Sequence, residues 1–387
     1  MCEILLRSGF ASLLLSLGIQ VLGAKSKAAI ADAIQALEDS SPAVRLEAIN
    51  QLGALGVEAE AALKPLLALM DSEENVDRIN AAWALGKIAP SEAVVIEAQI
   101  DALESGNLPF AYNAGLSLDW AGEAALPFLK RLLDETDVSI ARYYAASILS
   151  RKDETYRVRA KDVFLELLKS ESAEILLAGL QGLENLAFPS PDVIEAIRKA
   201  LSSENTEIRD SAAYVAVALG VSAAPLRDDL LSVALNEGSR NPRLTSITAL
   251  GNLANDEVAL KGLASLLGHD DRRIRAWSQN SIAKFGKSAI PYLNSALDED
   301  DHVLRLSTLS AIALLNVEDG DLVNRLLGEY PDTDGESKFR ILYCLWSVGK
   351  KREDAIAFIR SRLDSEDGEI IAAHARSIVN HIDSGGK

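Results

Sequence analysis

Cysteine is almost absent from the 387-residue chain, which carries it only at positions 2 and 344. Two cysteines are too few for a disulfide framework or a paired-cysteine metal site. Cys344 stands among apolar neighbours in "RILYCLWSVG", the setting of a small core residue and not of a reactive thiol. Histidine is nearly as scarce. His269, His302, His374 and His381 are scattered, none sits in a His-Glu-x-x-His arrangement, and none is followed directly by glutamate. His374 and His381, seven apart, can share a helix face, but two histidines do not make a metal site.

Other chemistry-bearing patterns are missing as well. "FGKS" at 285–288 ends like a phosphate-binding loop, yet Ser281 stands where such a loop needs its first glycine, and the stretch closes a helix instead of following a strand. No Gly-x-Ser-x-Gly elbow occurs. We therefore assign no catalytic residue, no cofactor and no metal, and the chain reads as a non-enzyme.

Basic charge is in deficit, with 39 lysines and arginines against 57 acidic residues, a net −18. Such a surface repels phosphates and excludes nucleic acid as a partner. Its field favours a protein or peptide of basic character, although excess carboxylate also simply keeps a long molecule soluble.

Long apolar runs are lacking except at the start, where "SGFASLLLSLGIQ" follows Arg7 and leads into "VLGA" and Lys25. Residues 1–24 have the layout of a secretory signal, with small residues at the cleavage position. Glu3 and the lone arginine fit that reading poorly, and a retained membrane anchor or a buried first helix are the alternatives. Cleavage would place the chain in the periplasm or outside the cell; a retained segment would tie it to a membrane, and an uncut buried helix would leave it cytoplasmic. Residues 25–383 then form the folded body and 384–387 a short tail.

Period-2 runs of β-branched residues do not stand out either, which argues against sheet. A repeat is present instead. "VRLEAINQLGALG" at 44–56 returns as "IRDSAAYVAVALG" at 208, "PRLTSITALGNLA" at 242, "IRAWSQNSIAKFG" at 274 and "LRLSTLSAIALLN" at 304. Aligned on Arg45, Arg78, Arg142, Arg209, Arg243, Arg275, Arg305 and Arg340, the copies recur about every 30 to 35 residues, and the two longer intervals each hide a copy without the arginine. A period of that length is the mark of a solenoid.

Each period holds two helical patterns. The first, as in "EAALPFLKRLL", carries an early proline in several copies (Pro65, Pro127, Pro225, Pro291), a residue suited to a helix's first turn. Acidic and small turns such as "SSENTE" and "DEDDH" follow, whose side chains suit helix capping. The second helix is the arginine-bearing segment, and Gly53, Gly56, Gly86, Gly220, Gly251 and Gly286 read as its C-caps.

The core apolar-Arg-x-x-Ala-x-x-x-Leu-Gly, as in "VRLEAINQLG", and the Pro-x-Leu opening of the partner helix resemble the HEAT-repeat family, in the bacterial form also called phycobilisome-lyase HEAT-like. The resemblance covers residues 26 to 383. It implies an all-α superhelical solenoid of about eleven helical hairpins. It also implies that Arg45, Arg78, Arg209, Arg243, Arg275 and Arg305, with acids of the preceding turns, tie neighbouring repeats together. Second helices of this family line the concave surface, so the residues that fail to recur there become the candidates for partner contact.

On the 44–56 ruler the core stripe is Val44, Ala48, Leu52 and Leu55 with Ile49 beside it, and Glu47, Asn50, Gln51 and Ala54 point away. Those outward columns receive Trp83, Tyr144, Tyr214, Trp277 and Trp346, with Trp120 one turn on, in a chain only 5% aromatic. Asn80 and Asn280 stand beside them, with Asn113, Ser147, Thr245 and other neutral polar residues. A neutral groove with aromatic anchors suits an extended peptide or a partner's helix ahead of carbohydrate; the competing reading is that the rings fill gaps between adjacent helices. The expected function is a non-catalytic protein-binding scaffold or adaptor. The alternative is a chromophore-lyase-like subunit or the accessory repeat portion of a larger enzyme.

Overall fold

A computed structural model describes residues 27–236, 238–253, 255–364 and 367–384. Residues 1–24, read as a signal, and Cys2 with them lie outside the described residues, as do 385–387. Among the described residues the regular structure is helical and no strand occurs. The chain divides into two compact units, Met1–Phe188 and Pro189–Lys387.

Five hairpins make up the described part of unit 1: α1 (Lys27–Ala36) with α2 (Pro42–Leu55), α3 (Leu63–Leu69) with α4 (Asn75–Ile88), α5 (Ala93–Glu104) with α6 (Leu108–Ala121), α7 (Leu126–Glu135) with α8 (Ser139–Lys152), and α9 (Arg157–Leu167) with α10 (Ala173–Leu186). Six make up unit 2: α11 (Pro191–Leu201) with α12 (Thr206–Leu219), α13 (Arg227–Asn236) with α14 (Arg240–Gly251), α15 (Glu257–Ser265) with α16 (Arg272–Ala283), α17 (Ile290–Leu297) with α18 (His302–Leu315), α19 (Gly320–Glu329) with α20 (Gly335–Val348), and α21 (Glu353–Ser361) with α22 (Glu369–Asp383). Within each unit every second helix packs against the next second helix. One hairpin cannot cover its own apolar stripe, and stacking makes the core continuous. Ile49, Leu52 and Leu66 are wholly buried in this way, each contributing about 1.5–3 kcal/mol relative to an exposed position.

Two details of the expected stripe change. On α2 the buried face is Ala48, Ile49, Leu52 and Gly53, while Val44 is exposed and Leu55 half-buried. Val44 belongs to the first turn, ahead of the neighbouring hairpin's cover.

The glycines split into two kinds. Gly56, Gly220 and Gly286 end second helices at φ of 56–57°, a backbone that a side chain would strain. Gly53, Gly86 and Gly251 instead lie inside helices, where a methyl group would collide with Trp83, Ser117 and Ser281 of the next second helix. They are points of close approach and not caps.

Turn chemistry follows the residue types. Asn205, Asp271, Asp301 and Asp334 accept backbone N–H groups at 2.8–2.9 Å and cap α12, α16, α18 and α20. Ser41 and Glu74, ahead of α2 and α4, make no such bond. Pro127 and Pro291 occupy the first turns of α7 and α17, whereas Pro225 lies in the 3-10 turn that leads into α13.

Candidate functional site

The recurring arginines work in two directions. Backwards, Arg45 donates to the carbonyls of Asp39 and Ser40 at 3.0 and 3.4 Å, Arg209 to those of Ser203 and Glu204 at 2.7 and 2.9 Å, and Arg275 to those of His269 and Asp270 at 2.6 and 2.8 Å. Arg243 and Arg305 reach further back, to the carbonyls of Leu235 and Leu297. Carbonyls of the turn are thereby satisfied, and at Leu235 and Leu297 those that the first helix leaves unpaired at its end. Forwards, Arg45 pairs with Asp77 at 2.8 Å, Arg142 with Glu166 at 2.8 Å and Arg305 with Glu329 at 3.4 Å, all one repeat ahead. Arg243 meets the ring of His269 at 2.9 Å. Arg78 turns to Asn75 and lies 5.8 Å from the centre of the Phe110 ring. The preceding turn thus offers its carbonyls, and the acid that ties repeats together comes from the following repeat; in that respect the expected partner is corrected.

Neutral polar residues of the second helices form a further set of ties. The Asn113 amide donates to the Ile79 carbonyl at 2.7 Å, the Ser281 hydroxyl to Ile247 at 2.9 Å, Asn252 to Val217 at 3.3 Å, and the Cys344 thiol to Leu309 at 3.0 Å. Each pair is 34 or 35 residues apart, one period. Thr245 is buried and donates to Asp210 at 2.6 Å. Asn113 and Thr245, expected to line an open groove, are therefore committed to holding neighbouring helices. Burial pushes the Cys344 thiol far up, consistent with an inert core position.

The aromatic residues take different settings in each unit. In unit 1, Trp83 of α4 is half-buried with its ring filling the space beside Gly53 of α2, and Tyr144 of α8 does the same beside Gly115 of α6. Tyr144 also meets Tyr143 edge-on at 5.1 Å. Trp120 keeps 38% of its surface but carries the Lys87 ammonium 3.7 Å above its ring. In unit 2, Tyr214 on α12 and Trp277 on α16 remain 45% and 43% exposed. Trp346 on α20 is half-buried, edge-on to His381 of α22 at 5.2 Å, beside a cleft of about 400 Å³. Asn80 and Asn280 donate back to the carbonyls of Val76 and Ala276 on their own helices at 2.6 and 2.9 Å.

One arrangement extends the sequence columns, adding Arg273 and Lys284 to Trp277 and Asn280. Arg273, Trp277, Asn280 and Lys284 are all exposed at i, i+4, i+7 and i+11 along α16 and its C-terminal residue, so they share one outward stripe. Val303 and Leu314 of α18 are 42% and 45% exposed on the neighbouring helix. The helical spacing of these four was legible in "RRIRAWSQNSIAK", where Trp277 and Asn280 were expected to face outward and the flanking cations Arg273 and Lys284 were passed over. Among the described residues no three His, Cys, Asp or Glu side chains come together to hold a metal ion, and no helix is long and apolar enough to cross a membrane.

Helical hairpins of about 33 residues, stacked through their second helices, define an α-α repeat protein of the solenoid class. The chain belongs to the HEAT-repeat family: the family's model matches residues 4–86, 63–150 and 227–313, more than half of the sequence. The first of these spans begins inside the segment with signal-like layout. In structure the chain is similar to importin beta, with a TM-score of 0.60 at 13% identity, over 92% of this chain and 55% of that one. It is similar as well to a chain from the structure of Kap95p with RanGDP, at 0.53 and 13% over 91% and 56%, and to Kap121p bound to Nup53p, at 0.51 and 12% over 91% and 45%. It spans about half the length of these three, and likeness at such identity concerns the fold. No curated protein matches the sequence.

Proposed function

We propose that the chain is a non-catalytic protein-binding scaffold and that the second-helix face of unit 2 receives a segment of the partner. The stripe Arg273, Trp277, Asn280 and Lys284 carries the reading, because none of these side chains is needed to fill the core. A tryptophan 43% exposed costs hydration free energy until something covers it, the next second helix leaves Val303 and Leu314 exposed as well, and exposed apolar surface marks interaction sites. The HEAT-repeat fold supports the reading, since Kap121p was solved bound to Nup53p and Kap95p with RanGDP. Net charge suggested a basic partner. The exposed charges of this stripe are cations, however, so the segment that docks here is proposed to be neutral or acidic.

Binding partners retained by the full chain at low salt are identified by mass spectrometry and then titrated against variants. Trp277→Ala is expected to weaken the interaction at least tenfold with helicity and thermal transition unchanged, and Lys284→Glu to weaken it further at low salt. Unchanged affinity for both variants, or a collapsed thermal transition for Trp277→Ala, sinks the proposal. We further propose export, on the strength of the apolar run and "VLGA"; intact mass of the natural product starting at Ala24 or Lys25 is the expected result, and an uncut Met1 overturns it.

A further inference from the structure

Thr248, Asn280 and Ser310 are the ninth residues of α14, α16 and α18, second helices of unit 2 that pack against one another in turn. Each side chain donates to the carbonyl four residues back on its own helix at 2.9 Å: Thr248 to Leu244, Asn280 to Ala276 and Ser310 to Leu306. That bond fixes which end of each group is left over. The hydroxyl hydrogen of Thr248 is used, and the amide nitrogen of Asn280 faces its own backbone, so both keep oxygen lone pairs for a further donor. Ser310 differs, because the Arg340 guanidinium already donates to it and closes the row at α18.

The same three helices contain no aspartate or glutamate, in a chain with 57 of them among 387 residues. Their arginines find carboxylates elsewhere, as Arg240 does at Asp271 and Arg305 at Glu329. Arg273 is exposed and pairs with no carboxylate among the described residues. It stands one turn before Trp277 and two turns before Asn280 on the same stripe. Local positive charge therefore survives on a strongly acidic molecule, and at physiological salt its reach is about 8 Å.

We infer that the segment docking here is acidic and extended, with a carboxylate on Arg273, an apolar side chain over Trp277 and backbone N–H groups donated to Asn280 and Thr248. The inference rests on the reading of Trp277 as a docking residue and specifies the partner. A partner helix pairs its own N–H groups internally and would strip water from those oxygens with nothing in exchange. An extended chain keeps its N–H groups free. Packed helix axes lie about 8–10 Å apart, and in the polyproline II conformation every third residue returns to the same side after about 9 Å. A chain crossing α14 and α16 thus brings one N–H to each.

Fluorescence polarisation of the full chain with a labelled peptide of four Glu-Pro-Leu repeats tests it. The comparison peptides are four Lys-Pro-Leu repeats, polyglutamate, a helical peptide of glutamate, alanine and leucine, and the Glu-Pro-Leu peptide N-methylated at every glutamate and leucine, which has no backbone N–H left. Saturable binding of the unmethylated Glu-Pro-Leu peptide alone is expected, weakening as salt rises. Asn280→Ala and Thr248→Val should each weaken it about fivefold and Arg273→Gln about tenfold, the usual scale for losing a neutral and a charge-assisted hydrogen bond. Arg159→Gln, whose arginine pairs with Asp134 in unit 1, leaves it unchanged. Absence of saturable binding, equal binding of any comparison peptide, or unchanged affinity in both Asn280→Ala and Thr248→Val overturns the inference. A helical peptide that binds more tightly and is lost with Trp277→Ala overturns it too, but leaves the reading of Trp277 standing. Binding of the Glu-Pro-Leu peptide that Trp277→Ala does not weaken overturns both.

Discussion

Trp83 in unit 1 and Trp277 in unit 2 both rise from second helices, yet one is a packing residue and the other is left outside. The difference lies one helix away. Gly53 on α2 removes a side chain where the Trp83 ring needs room, and Gly115 does so for Tyr144. In unit 2 the close approach of α14 to α16 is filled by Ser281, which sits against Gly251 and donates to the Ile247 carbonyl. None of the described glycines has the Trp277 ring against it, and Trp277 stays exposed. An aromatic residue on a repeat protein therefore takes its role from the residue one period earlier.

The largest expected contrast concerns the repeated arginine. Asp77 is 2% exposed and Arg45 14% at their salt bridge. Arg45→Met strands that carboxylate, and removing one partner of a buried pair costs about 3–5 kcal/mol. Arg305 and Glu329, at 30% and 26% exposure, are partly solvated, so Arg305→Met is expected to cost about 1 kcal/mol or less. Urea unfolding checks both; equal losses would mean that burial does not separate the two sites.

Next comes the pair of tryptophans. Trp83→Ala opens a void beside Gly53, and for a half-buried ring a loss of about 2–3 kcal/mol is expected, below the range for full burial. Trp277→Ala should stay within about 0.5 kcal/mol, as for surface positions generally. Hydrogen exchange within 75–88 and 272–283 localises each effect. Comparable deprotection in both helices would erase the distinction between the two tryptophans.

Helix starts differ more gently. Asp301→Ala removes the cap of α18 and should cost about 1 kcal/mol, whereas Ser41→Ala touches no cap bond of α2 and should be nearly silent. The smallest effect is in acid. The Thr155 hydroxyl and then Lys130 hold the Asp153 carboxyl down at about 2 in unit 1, and Arg352 does the same for Asp354 in unit 2. A depressed carboxyl stabilises the fold above its ordinary value of 3.8, and that contribution is lost as pH falls through about 2. Carboxyl NMR titration should show both midpoints near 2; a midpoint near 3.8 for Asp153 refutes its bond to Thr155.

Much of the architecture was legible because a stacking unit must repeat its core letters. The arginine column, the capping aspartates and the middle of the apolar face of α2, Ala48, Ile49 and Leu52, follow from spacing, whereas its ends at Val44 and Leu55 do not. Gly53 and Gly86 misled, since a glycine near a helix end reads as a cap unless the ring or hydroxyl that overlies it is known. Asn113 and Thr245 misled for the same reason: polarity announces hydrogen bonding but not the partner. On α16 Trp277 and Asn280 were legible as outward residues, while Arg273 and Lys284 were passed over because the columns were read for rings and amides.

By itself the sequence determined the helices, their period of about 33 residues, the pairing into hairpins and the scarcity of histidine and cysteine. Periodicity and turn chemistry are local, and they act through neighbours within a few residues. Tertiary structure alone decided which aromatic side chains are packed, which acid each arginine meets, and where positive charge gathers on an acidic chain. Those outcomes depend on contacts one repeat away, where a missing side chain on one helix sets the exposure of a ring on the next.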